Sequence, residues 1–189
     1  MTRAVAVLLA LVEGCGAARA YEPARVVERE DQAIARVLEA RGSGCSAEAL
    51  AQVPARAWPL GPSGPWLVHA VCELGAYQPT GGLFVVRGGG EVERVPLPLV
   101  GEDGALTSSL DVGEIEVEPS RHTLTELTRF RGLGDCGRRV RVRLGPDGVL
   151  TLLEHREQPC SDDEAAEHVT DRDRWPLRFP PVGTVAPTE

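Results

Sequence analysis

The chain contains no lysine; all 20 of its basic residues are arginine. So one-sided a choice reflects the base composition of the gene before it reflects function. Net positive charge is also missing. The formal charge is −8, and an acidic chain repels phosphate, which excludes a general nucleic-acid binder. Beyond residue 12 no apolar run approaches the roughly 20 residues that a spanning helix needs, so no transmembrane helix is expected in the mature chain. There is no C-x-x-C pair, the knuckle of many structural zinc sites. No nucleophile stands in a recognisable pattern with a base, so no catalytic residue is assigned, and no metal or cofactor is expected.

What is present begins at the N-terminus. Arg3 supplies a short positive region, residues 4–12 (AVAVLLALV) an apolar core, and Ala18 and Ala20 an A-x-A site ahead of Tyr21. This pattern predicts a signal peptide over 1–20 and export to the periplasm or the extracellular space. A second reading makes Cys15, in VEGC, a lipidated first residue that anchors the protein through acyl chains. Gly14 fits that pattern and the charge of Glu13 does not. Cleavage after Ala20 leaves 169 residues with a formal charge of −9, enough for one domain with a substantial core.

Four cysteines then remain: Cys45, Cys72, Cys136 and Cys160. An even number in an exported chain predicts two disulfides. Three connectivities are open. The sequence-local one, Cys45–Cys72 with Cys136–Cys160, is favoured; each loop of roughly 25 residues stabilises by about 3 kcal/mol in the chain-entropy model. The competing zinc set of His69, Cys72, His155 and Cys160 would leave Cys45 and Cys136 over, in a compartment that oxidises thiols.

Residues 24–41 repeat apolar side chains at helical spacing (Val26, Val27, Ala33, Ile34, Val37, Leu38), and Gly42 ends the pattern. A short second helix or turn follows Cys45. The Pro/Gly-rich WPLGPSGP breaks the helical region. Strand-like runs come next at 66–72, 83–87, 91–97, 114–118, 123–130, 139–144 and 149–155, separated by Gly-rich or Asp-Gly turns. The expected fold is α+β: an N-terminal helical segment packed on a mainly antiparallel meander, one domain over 21–179, with a flexible tail at 180–189.

RFRGLGDCGRRVRVRLG, residues 129–145, spells G-x-G-x-x-G at Gly132, Gly134 and Gly137. A dinucleotide loop needs a helix after it, and RRVRVRL alternates at period two as a strand does. The loop therefore reads as a strand-to-strand turn tied by Cys136. Arg131, Asp135, Arg139, Arg141 and Arg143 form the candidate binding surface, suited to an anionic ligand such as a carboxylated or phosphorylated envelope glycan. In the simpler account the arginines neutralise Glu114, Glu116 and Glu118 on the same sheet surface, and Asp135 caps local N–H groups. The acidic run 161–174 lacks the ligand spacing of an EF-hand. His69 and Glu73, four apart on a strand, would share a face and supply acid–base chemistry for a hydrolase, with Asp135 as the alternative partner.

RGLGDCG, followed by a strand, a DG turn, another strand, PC and a later WP, resembles the C-terminal half of the domain-of-unknown-function 1176 family. WLVHAVCELGAYQ is similar to the upstream motif of that family. The resemblance covers most of residues 24–179 and implies an exported bacterial protein; it implies no activity, because none is established for the family. The chain departs from the family in placing arginines and aliphatics where aromatics are usual after GDCG. Three functional classes follow from the sequence: a non-catalytic envelope module binding a glycan, peptide or partner protein; a hydrolase; and a small enzyme inhibitor presenting GLGDCG.

Overall fold

The structure is a computed structural model that describes residues 29–40, 44–62, 64–161 and 169–180. The expected signal peptide over 1–20, Cys15, residues 24–28, most of the acidic run and the tail from 181 lie outside the described residues. Mainly antiparallel sheet dominates, with few helices. Helix α1 spans Glu30–Glu39 and α2 spans Ala47–Gln52, where the Ser46 hydroxyl caps the Ala49 N–H at 3.0 Å.

Eleven strands follow among the described residues: β1 Arg56–Pro59, β2 Trp66–Leu74, β3 Pro79–Val86, β4 Val92–Val95, β5 Leu97–Val100, β6 Leu106–Ser109, β7 Glu114–Glu118, β8 Thr123–Arg129, β9 Gly137–Leu144, β10 Leu150–Gln158 and β11 Leu177–Phe179. They form three sheets rather than one. The first has the order β1-β2-β3-β4, the second β11-β10-β9-β8-β7, and β5-β6 is a separate hairpin. Each order is sequential, so both large sheets are meanders built from local turns. β1 escapes the sequence pattern because Pro59 argues against a strand; at a sheet edge the missing N–H is tolerated.

Period-two alternation divides the side chains between two cores. Leu67, Leu83 and Val85 of the first sheet meet Leu124, Val140, Val142, Leu144 and Leu152 of the second, with Leu97 and Leu99 of β5. The other face of the first sheet shares a second cluster, in which Val68, Ala70, Phe84 and Val86 pack with Ala33 and Val37 of α1. The disulfides join Cys45 to Cys72 and Cys136 to Cys160, the sequence-local pairing.

Two bulges change which way side chains point. Between Leu152 and Glu154 the register of β10 against β9 slips by one. Without the slip, Glu154 would share the inner face with Leu152; with it, Glu154 lies opposite Arg141 on the outer face and His155 lies opposite Val140 in the core. A second slip on β2, between Val71 and Glu73, sets His69 opposite Leu83 but Glu73 opposite Thr80. Leu83 and Thr80 are an odd number of residues apart on β3, so His69 and Glu73 occupy opposite faces. The shared face expected from their spacing is therefore corrected by the bulge at Cys72.

Candidate binding surface

The stretches WLVHAVCELGAYQ and RGLGDCG meet at one end of the sheets. The β2–β3 loop holds Tyr77 and Gln78; the β8–β9 loop holds residues 130–136. A Cβ on Gly132 would lie 2.9 Å from Cδ1 of Tyr77, so one edge of the phenol ring packs closely against this glycine. The buried Gln78 accepts the Arg129 N–H through Oε1 at 2.9 Å and ties one loop to the other.

The β8–β9 loop is held from within. Arg131 donates from Nε and Nη2 to the two oxygens of Asp135, at 2.9 and 2.5 Å. The Asp135 side chain is 4 % exposed, so this bidentate pair works in a shielded setting. The Gly134 N–H donates to the Arg131 carbonyl at 3.2 Å and closes a tight turn. Gly137 follows with φ at +153°, and a Cβ there would sit 2.2 Å from the Thr128 carbonyl oxygen. Cys136 is buried and bonded to Cys160, outside the turn. The strand β9, rather than a helix, follows this loop directly, and the dinucleotide reading fails on context.

On this braced frame the apolar tips point to solvent. Leu133 is 71 % exposed and Tyr77 60 %, with Phe130 and Leu74 also exposed. Beneath them lies a polar node. Glu126, fully buried on β8, accepts the Gly113 N–H at 2.9 Å, the Thr128 hydroxyl, and Nη2 of Arg138 at 3.4 Å. Gly113 precedes β7, and Val112 beside it bridges to Gly81 of β3, so the node fastens the two sheets just under the loops.

The arginine face lies apart from those tips, on the outer surface of the five-stranded sheet. Arg139, Arg141 and Arg143 alternate with buried Val140, Val142 and Leu144, as period two requires. The neutralising partner of Arg139 and Arg141 is not the glutamate strand. β8 separates β7 from β9. Glu154 instead meets Arg139 at 3.1 Å, Arg156 at 3.0 Å and Arg141 at 3.5 Å. Arg139 also reaches Asp173 at 2.7 Å, and Glu114 binds Arg129 bidentately at 2.9 and 3.0 Å. Sequence alternation missed Glu154 because only the bulge turns it outward. The five residues of the candidate surface thus divide: Arg131 and Asp135 brace the loop, while Arg139, Arg141 and Arg143 lie on the sheet.

The two sequence histidines of interest both lie on inner faces. His155 is buried, and its Nδ1 accepts the Val100 N–H at 3.1 Å, joining β10 to β5. Burial, with Arg138 and Arg178 nearby, pushes its imidazole down to about 4. Burial and Arg56 push His69 down to about 4 as well. Both are neutral near pH 7. Cys72 and Cys160 belong to different disulfides, which removes both thiolates from the zinc set. Among the described residues no group of three or more His, Cys, Asp or Glu side chains is placed to hold a metal ion, and no helix is long and apolar enough to cross a membrane.

No family model, curated protein or solved structure matches the chain.

Proposed function

We propose that this protein is a non-catalytic binding module of the bacterial cell envelope, exported to the periplasm or beyond. Its working surface is the disulfide-held end that carries Leu74, Tyr77, Phe130 and Leu133. The observation that carries the reading is the pairing of exposed apolar tips with a rigid base. Exposing such side chains costs solubility, and the Arg131–Asp135 ion pair and the Cys136–Cys160 disulfide hold them on a fixed base. Aromatic and aliphatic knobs on a pre-organised frame suit a partner protein with an apolar recess.

The resemblance to the domain-of-unknown-function 1176 family fits this reading, because its two motif stretches are the two loops in contact at Tyr77 and Gly132. So does an α+β description of residues 21–179, with Ala33 and Val37 of the helical segment set against the first sheet. Export accounts for two disulfides. The hydrolase reading loses ground: Glu73 lies on the far face from His69, and the Asp135 carboxylate is occupied by Arg131. A substrate-like inhibitor loop would be extended, whereas the Arg131–Gly134 turn is closed.

A photo-crosslinking amino acid placed at Leu133, in the cells that produce the protein, tests the reading. The control position is Leu106 on β6, equally exposed at 70 % but in the separate hairpin. One dominant protein adduct at position 133 and none at 106 is the expected result. Equal labelling at both positions, or none at either, contradicts it.

A further inference from the structure

The outer face of the five-stranded sheet holds a groove of about 280 Å³ beside β7. Its walls carry Glu114, Glu116 and Glu118 on one side and Arg139 and Arg172 on the other, with Thr125 and Leu127 on the floor. Most of these charges are already satisfied. Glu114 binds Arg129, Glu118 binds Arg121 at 3.2 Å, and Arg139 binds Glu154 and Asp173. Two are not. Glu116 and Arg172 have no ion-pair partner among the described residues, and Nε of Arg172 is buried without a hydrogen-bond acceptor.

On a surface where neighbouring charges are matched, the two unmatched ones have opposite sign and line the same groove. Arg172, which lines the groove, offers a guanidinium fork to a ligand carboxylate. Glu116 offers the complementary carboxylate for an ammonium group, and Leu127 gives an apolar floor between. The volume lies at the lower end of ligand sites. We propose that this groove binds a small zwitterion, an amino acid or dipeptide, with its ammonium at Glu116 and its carboxylate at Arg172. This site is independent of the loop end.

The probe is the dipeptide glycyl-leucine, titrated into the full mature protein and followed by amide chemical shifts. The expected result is saturable shifts at Glu116, Thr125 and Leu127, with Arg172→Gln and Glu116→Gln each weakening binding by about tenfold. N-acetylation of the dipeptide should weaken binding to the wild type but not to Glu116→Gln; C-terminal amidation should do the same with respect to Arg172→Gln. Both side chains are at the surface of the groove, and an unchanged amide spectrum elsewhere shows that the variants fold. Absence of shifts up to about 10 mM dipeptide, a concentration above any useful affinity for such a site, overturns the proposal. So does equal binding of the blocked dipeptides.

Discussion

Single side chains in this protein owe their roles to burial and to the groups that surround them. Glu154 is the clearest case, since three guanidiniums converge on one carboxylate that is 17 % exposed on its side chain. Glu154→Gln should lower unfolding free energy by about 1–2 kcal/mol, whereas Glu116→Gln should stay within about 0.5 kcal/mol. Denaturant titration of the two variants in parallel checks this; equal effects would mean that the arginines are held by packing alone. Asp135 should matter more. Asp135→Asn leaves Arg131 without its bidentate partner in a shielded loop, and a loss of about 3 kcal/mol is expected by the same measurement. That carboxylate was visible in the sequence as a turn residue; its engagement with Arg131 was not, because two residues four apart pair across a loop only when the turn between them closes.

The elements show what is legible in a sequence and what is not. β7, β8 and β9 alternate cleanly over EIEVE, TLTELTR and RVRVRL, and the structure pairs them in unbroken register. Local turns made the meander readable. The bulges at Leu152/Glu154 and Val71/Glu73 were not readable, because neither VLTLLEH nor WLVHAVCEL keeps a period-two alternation long enough on both sides of the slip to fix its phase. The site inherited that blindness: His69 and Glu73 were paired on a spacing that the bulge cancels, and Glu154 was overlooked. The division into two large sheets was also hidden, since a sequential strand order is compatible with one meander or two. The disulfides were legible from parity and from short loops. Replacing Cys136 and Cys160 together by serine should cost about 3 kcal/mol while leaving the amide spectrum of the first sheet in place. Loss of that spectrum would mean that the bridge holds the whole fold rather than one loop.

At the scale of the whole molecule, two sheets are fastened by a buried polar node at one end, and the same end displays apolar tips. Acid should loosen this assembly. His69 and His155 titrate near 6.5 when unfolded and about 4 when folded. Between those values the unfolded chain binds more protons, so stability is lost as pH falls from about 6.5 towards 4. Each histidine contributes at most about 1.4 kcal/mol per pH unit over that window. His155→Gln should flatten the profile, read as unfolding midpoint against pH; an unchanged slope would show that His155 does not govern it. The central claim is that the braced loop end is where the protein binds its partner. The most direct test titrates the protein captured at position 133 against two purified variants, Leu133→Asp and Arg141→Glu, after thermal melts show both folded. The account predicts that Leu133→Asp weakens affinity by at least about tenfold and that Arg141→Glu leaves it unchanged. The reverse order would move the binding surface to the arginine face and contradict the account.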